Sequence, residues 1–351
     1  LSSTLYVHLS KIGNNLKAVN DRIGSAVQRM AVVKDEAYGH GMLPVADYLK
    51  DKVEWFCTAK LDEAVRLRED GIKNPILVFE IPPKGEEHLF LKHDITASIS
   101  DLSVFERLET GTKTHLHFDT GMFRLGMLPE DVSEAVIKMN SNDLNYTGIY
   151  THFANSDEND HPRVANQLDI FRSIRSQFPE ELMTHTANSG AIFYYHDKGV
   201  LFDAVRPGVC LYGYAPGIDE ISDLEPVVEW KSELVQVKKL KKGDMVGYGS
   251  RWTAPQDGWL GVVPVGYADG IFRNLTNGFN VEIAGELFPQ VGTISMDYFT
   301  VYLKDKNFAQ GKTVTILRDG ELSAKGWAKK MGTIPYEITT AISPKIKRAY
   351  I

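Results

Sequence analysis

The sequence predicts an α/β fold: a (β/α)8 TIM-type barrel followed by a C-terminal, mostly antiparallel β domain. Short apolar runs alternate with helix-period segments from about residue 31 to about residue 206. Repeated strand–helix units with apolar strands build a parallel sheet covered by helices. About eight such units fit this stretch, the number that closes a barrel of roughly 200 to 250 residues. Near Glu225-Pro226 the pattern changes to apolar–polar alternation between turn-rich separators, as in half-buried antiparallel strands. An open doubly wound sheet is the alternative, and no Gly-x-Gly-x-x-Gly turn supports it.

The elements follow in order. Thr4–Leu9 alternates like a strand, and Ser10 suits the cap of a following helix. Barrel strands are predicted at Ala31–Lys34, Trp55–Thr58, Pro75–Phe79, Ile95–Ser98, Thr114–Phe118, Tyr146–His152, Met183–Ala187 and Asp203–Arg206. Leu61–Asp70, Glu130–Met139 and Pro162–Gln177 carry helical periodicity between them. Beyond Glu225 the alternation predicts one strand at Val227–Lys238, then Trp259–Pro264, Phe279–Ile283, Thr300–Leu303 and Thr313–Leu317, with a short helix at Ala324–Lys330. The expected division is a barrel over 10–225 and a β domain over 226–351, the latter joined by the N-terminal strand 1–9.

Composition narrows the function. A chain of 351 residues suits a large barrel plus a second domain. The net charge of -7 argues against a polyanion partner such as nucleic acid. No apolar run approaches the roughly 20 residues that span a bilayer. The opening Leu1-Ser2-Ser3-Thr4 carries no signal-peptide pattern and no initiator methionine, which leaves room for residues upstream. Cys57 and Cys210 lie in apolar contexts and read as core residues, not as a disulfide framework or a metal site. A reducing cytoplasm fits that usage.

The richest stretch is Ala31-Val32-Val33-Lys34-Asp35-Glu36-Ala37-Tyr38-Gly39-His40-Gly41. It places Lys34 where a buried strand leaves the core. A lysine at an apolar edge is easier to deprotonate, and a neutral lysine forms Schiff bases. In a barrel, functional residues lie where strands end. His117, Asp119, Arg124, His152, Asn188, Ser189, Arg206 and Gly208 all fall at or just after predicted strand ends. Each alone has a plain structural explanation as a rim residue or a helix cap, but barrel geometry gathers them around one mouth. A helix start at Ser189 and the turn at Gly208 suit a phosphate. A Schiff-base lysine and a phosphate cradle on one mouth suggest pyridoxal phosphate.

The chain resembles the alanine racemase family over essentially its whole length. The resemblance rests on Val32-Val33-Lys34 with Ala37-Tyr38-Gly39-His40-Gly41, and on Asp119-Thr120-Gly121-Met122 with Arg124-Leu125-Gly126. It rests further on Thr151-His152-Phe153-Ala154, Arg206-Pro207-Gly208, Gly247-Tyr248-Gly249, Gly266-Tyr267-Ala268-Asp269-Gly270, Ser295-Met296-Asp297 and Tyr336-Glu337-Ile338. It implies a homodimeric, cytoplasmic, pyridoxal-phosphate-dependent racemase that interconverts L- and D-alanine and supplies D-alanine for peptidoglycan.

Roles follow from the resemblance by position. Lys34 looks like the lysine that binds the cofactor covalently and then carries a proton. Tyr248 looks like the opposite base, supplied by the partner subunit. Arg206 matches the arginine facing the pyridine nitrogen. Tyr38, Ser189, Gly208, Val209 and Tyr336 match phosphate-holding positions. Arg124 and the Met296 N–H match the substrate-carboxylate contacts. His152 matches a histidine between the arginine and the catalytic tyrosine, and Tyr267 a tyrosine near the substrate entrance. No metal is implied.

The sequence departs from the family at several of these positions. His117 stands where many members carry a lysine that becomes carbamylated; a histidine makes no carbamate, so Arg124 needs another support, His117 itself or a bound anion. Phe123 replaces a residue that is commonly glycine, and Asp35-Glu36 place two carboxylates beside Lys34. These changes leave serine or another small amino acid open as substrate. Barrel-type basic amino-acid decarboxylases resemble this architecture too, but use a carboxylate at the pyridine nitrogen and a C-terminal-domain cysteine. Here Arg206 fills the first role, and no cysteine follows Cys210.

Overall fold

The computed structural model describes residues 3–217 and 221–351. The chain divides into two compact units, one built from 13–37 and 42–224, the other from the N-terminal segment to Ile12, 38–41 and Glu225–Ile351. Strand β1 (Thr4–Val7) belongs to the second unit and the helix Leu9–Ile23 follows it. That helix starts before Ser10, so Ser10 lies inside its first turn instead of capping it.

The first unit is a parallel barrel. Its strands are β2 (Gln28–Val32), β3 (Trp55–Thr58), β4 (Ile76–Val78), β5 (Ala97–Ile99), β6 (Lys113–His117), β7 (Asn145–Tyr150), β8 (Met183–Asn188) and β9 (Ala204–Arg206). They run in the order β4-β3-β2-β9-β8-β7-β6-β5. Thr96, just before β5, closes the ring: the Val78 N–H donates to Thr96 O at 3.0 Å and the Thr96 N–H to Ile76 O at 2.8 Å. The eight predicted strands are all present, with shifted ends except at Trp55–Thr58. β2 begins at polar Gln28 because Gln28 and Arg29 pair with Ala204 and Val205; it stops at Val32, two residues short of Lys34.

Helices cover the barrel with one apolar face each. In Pro162–Arg175, Val164, Leu168, Phe171 and Ile174 are buried, a three-to-four-residue spacing that puts them on one side. Leu61–Glu69 does the same with Leu61, Ala64 and Leu67. The segment Glu130–Met139 resolves into a short 3-10 turn at Pro129–Asp131 and the helix Val132–Ser141. Met42–Leu49 is an additional helix.

The second unit is a nine-stranded sheet. Its further strands are β10 (Val228–Glu233), β11 (Gln236–Leu240), β12 (Gly258–Val263), β13 (Asn280–Ile283), β14 (Glu286–Val291), β15 (Phe299–Lys304), β16 (Thr313–Leu317) and β17 (Lys347–Tyr350). The order is β11-β12-β15-β14-β13-β16-β10-β1-β17. All pairs are antiparallel except β1 with β17. The single strand expected at Val227–Lys238 is two. At Leu234-Val235 the chain changes partners: the Leu234 N–H donates to Lys312 O and the Val235 N–H to Val262 O, both at 2.9 Å.

Candidate active site

Lys34 follows β2 after one residue, Val33, whose N–H donates to Cys57 O at 2.9 Å. Beyond it the backbone turns left-handed: Asp35, Glu36, Ala37 and Tyr38 have φ of 51, 53, 52 and 56°. Left-handed helical geometry costs an L-residue roughly 1–2 kcal/mol, so four in succession need external support. Carboxylates supply it. Glu63 Oε1 accepts the Asp35 N–H at 2.5 Å. Glu36 Oε2 accepts the Met42 N–H at 3.2 Å, while its Oε1 pairs with Arg66 at 2.7 Å. The Lys34 amine lies 4.0 Å from Asp35 Oδ2 and stays partly exposed.

Arg206, the last residue of β9, is buried, and among the described residues no carboxylate pairs with it. Backbone dipoles hold its charge instead. Nη2 donates to Thr151 O at 2.7 Å and Thr186 O at 2.9 Å, and Nη1 to His185 O at 3.0 Å and His185 Nδ1 at 2.5 Å. Among the described residues its Nε–H has no acceptor. Burial pulls the guanidinium down to about 10, still charged at neutral pH.

Four histidines surround this cation, His115, His117 and His185 buried and His152 half-buried. Because Arg206 donates to His185 Nδ1, the proton of neutral His185 sits on Nε2 and is donated to His115 Nδ1 at 2.9 Å. His115 then carries its own proton on Nε2, a buried atom with no hydrogen-bond partner. His117, Tyr150 and His185 form a stack, with ring centroids 4.2 and 4.8 Å apart and planes 8 and 10° from parallel. Ser98 Oγ donates to Val78 O, so Tyr150 Oη donates to Ser98 at 2.8 Å. Burial first, then the Arg206 charge, pushes His115 and His117 down to about 3, and both also lower His152 and His185. All four are neutral rings at physiological pH.

His152 follows β7, with Nδ1 3.5 Å from Arg206 Nη2 and Nε2 3.3 Å from Asn188 Nδ2. Asn188 caps the short helix Ser189–Tyr194 through the Ala191 N–H. Ser189 Oγ accepts the Gly208 N–H at 3.0 Å and the Cys210 N–H at 3.5 Å, which fixes the turn carrying Gly208 and Val209. Arg124 is exposed and lies in a loop held by Asp119. Among the described residues no hydrogen bond joins His117 to Arg124; His117 Nδ1 is instead 2.9 Å from Ser100 Oγ. Phe123 is 78% exposed with φ 57°, a conformation that glycine adopts at less cost. Lys34, Arg124, His152, Ser189, Arg206, Gly208 and Val209 thus all sit at or just beyond C-terminal strand ends of one barrel.

The second unit carries the remaining candidates in two groups. Tyr38 and Tyr336 meet edge-on, ring centroids 6.3 Å apart. Next to them Gly39 has φ 87°, and a β-carbon there would fall on the Thr339 carbonyl; only glycine permits that approach. Tyr248, Tyr267 and Met296 gather around the loop 293–298. Thr293 Oγ1 donates to Tyr248 O at 2.6 Å, and the N–H groups of Tyr267 and Ala268 donate to Ser295 O and Met296 O at 3.1 and 3.0 Å. The Tyr248 side chain is 74% exposed. Sequence reasoning missed His115, His185 and Glu63. The first two lie inside strands that read as apolar runs, and Glu63 reads as an ordinary first-turn glutamate.

The match to known proteins covers both units. Residues 7–216 match the family model "Alanine racemase, N-terminal domain", and residues 227–350 match "Alanine racemase, C-terminal domain". The chain belongs to the alanine racemase family. An alanine racemase of Streptococcus mutans is 36% identical over 361 residues, covering 99% of this chain and 96% of that protein. A solved alanine racemase of Bacillus anthracis with bound L-Ala-P superposes with TM-score 0.92 at 32% identity, covering 100% of this chain and 95% of that one. One from Bartonella henselae with covalently bound pyridoxal phosphate gives TM-score 0.90 at 27% identity, with all of both chains covered. Membership makes the chain an enzyme, an amino-acid racemase, and agrees with the barrel-plus-β-domain architecture. Among the described residues no helix is long and apolar enough to cross a membrane, and no group of side chains is arranged to hold a metal.

Proposed function

We propose that this chain interconverts L- and D-alanine with pyridoxal phosphate, as a homodimer in which Lys34 and Tyr248 of the partner subunit carry protons on opposite faces of the substrate. The observation that carries the reading is the pairing, on one barrel mouth, of a strand-end amine with a buried guanidinium whose Nε–H has no acceptor among the described residues. The donor set fits the cofactor. Lys34 offers the primary amine that an aldehyde takes covalently. Arg206 donates a hydrogen bond but cannot accept a proton, so it suits an unprotonated ring nitrogen. Ser189, Gly208 and Val209 stand at the phosphate end, and Tyr38 and Tyr336 complete that set by resemblance. When bound, pyridoxal phosphate supplies the electron sink that lets an α-proton leave an amino acid.

The chain's residues do the rest. Lys34 Nζ removes or returns a proton at Cα on one face, and Tyr248 Oη does so on the other; each positioned proton carrier contributes about 10²–10⁴-fold. Arg124 and the Met296 N–H bind the carboxylate, the former by a charge-assisted pair. His152 links Arg206 to Tyr248, and Tyr267 lines the entrance. With the cofactor bound, Arg206 would leave its ring a weaker electron sink, favouring return of the proton to Cα over transamination. Exposed Tyr248, Tyr267, Met296 and Tyr298 around one loop suit a surface covered in a dimer. On the same footing we assign the D-alanine to peptidoglycan and the enzyme to the cytoplasm.

The test is incubation of the pure holoenzyme with each enantiomer of alanine and serine in deuterated water. Racemisation with α-deuteration and without carbon dioxide is expected, fastest for alanine. Carbon dioxide release would assign a decarboxylase, and absence of any exchange a non-catalytic binder.

A further inference from the structure

The helix Leu61–Glu69 needs an acceptor for the N–H groups at its start, and Glu63 provides one. Its Oε2 accepts the Ala59 N–H at 2.9 Å and the Lys60 N–H at 3.1 Å. That is the reciprocal half of a capping box, and one oxygen completes it. The second oxygen has no part in the cap. Oε1 instead reaches across 28 residues of sequence to the backbone N–H of Asp35, the residue after Lys34, at 2.5 Å. Asp35 is the first of the four left-handed residues. A charge-assisted bond is about twice as strong as a neutral one, and this one acts on the strained peptide that determines where the Lys34 side chain leaves the backbone. Glu63 is 8% exposed, and burial raises its carboxyl above the ordinary glutamate value against the pull of its three N–H donors.

The geometry points to Glu63 as a positioning residue for the Lys34 proton step: its carboxylate bridges the helix start to the Asp35 N–H and holds the left-handed turn that aims the lysine. Helix capping alone would not need both oxygens. Glutamine would put an NH2 group against a donor on one side or the other, so Glu63→Gln breaks the bridge with almost no change in volume. Aspartate keeps the charge but withdraws it by one methylene, so it cannot span both sides. The inference rests on the two-base reading proposed above, with Lys34 now assigned, as the family resemblance implies, to the α-proton of the D-enantiomer and Tyr248 to that of the L-enantiomer.

The test measures substrate isotope effects on holoenzyme with α-deuterated D-alanine and α-deuterated L-alanine. In Glu63→Gln a fall in kcat of about 10- to 100-fold is expected, as for a base displaced by a fraction of an ångström to one ångström. The diagnostic readout is a pair of opposite shifts. The isotope effect from D-alanine rises, because proton removal by Lys34 becomes slower. The effect from L-alanine falls, because proton return by Lys34 then limits the rate. A lost cap alone would lower stability and leave both isotope effects unchanged, which overturns the proposal. Should Glu63→Gln not fold, Glu63→Asp is read by the same two shifts, with the same outcomes. Wild-type enzyme that fails to racemise would overturn the Lys34 reading itself; racemisation with unmoved isotope effects in the variants overturns the Glu63 inference alone.

Discussion

The Asp119 carboxylate accepts the backbone N–H of Arg124 at 3.1 Å through Oδ2, while Oδ1 takes the N–H groups of Gly121 and Met122 at 2.7 and 2.8 Å. Three N–H groups on one carboxylate fix a loop that also contains Phe123 in a left-handed conformation. Support for Arg124 therefore comes through its backbone. Asp119→Ala leaves those donors unmet and frees the loop. The expected result is a KM for alanine raised about tenfold with a smaller change in kcat, because a substrate-binding contact is lost more than a proton carrier. Steady-state kinetics in both directions check it; an unchanged KM would show that Asp119 does not position Arg124.

His117 has a different role. Its ring is stacked on Tyr150 and hydrogen-bonded to Ser100, without a bond to Arg124 among the described residues. His117→Ala should cost about 2–4 kcal/mol of stability through the void it leaves and keep KM within about threefold of wild type. Urea unfolding and kinetics on the same preparation test both. A large KM increase with unchanged stability would move His117 into substrate binding.

The histidine cluster sets the acid response. His115 and His117 titrate near 3 when folded, and His152 and His185 well below their ordinary value of 6.5. Between pH 6.5 and about 3 the unfolded chain therefore binds more protons than the folded one, and stability falls as pH falls through that window. Each group contributes about 1.4 kcal/mol per pH unit once its unfolded form is protonated. Unfolding midpoints should be nearly flat from pH 7 to 8 and drop steeply below pH 6. A flat profile from pH 7 to 5 would contradict buried neutral rings.

The barrel was legible because its strands contain short, largely buried runs set between helical segments, as at Trp55–Thr58, whose bounds match the expectation. Ends were less legible, since polar Gln28 and Arg29 extend β2 through backbone pairing that no periodicity reveals. In the β domain Pro289 hides β14, because proline inside an apolar run argues against a strand. The strand-end rule located Lys34, His152 and Arg206. The left-handed turn after Lys34 was invisible: the glycines lie at 39 and 41, while the positive φ angles begin at Asp35, which tolerates them, and continue through Glu36 and Ala37, which rarely adopt them. His185 and His115 escaped notice because their chemistry comes from facing Arg206 inside the barrel, a relationship set by register and not by spacing.

The proposed site is completed between protomers, with Lys34 from one and Tyr248 from the other. Mixing Lys34→Ala and Tyr248→Phe, each expected to be nearly inactive alone, with subunit exchange is the sharpest test. In a mixed dimer one of the two sites has both native residues, so random exchange should restore about a quarter of wild-type racemisation from two nearly inactive parents. If the mixture stays as inactive as its parents while hetero-dimers form, or if either parent alone keeps wild-type activity, the shared two-base site is wrong.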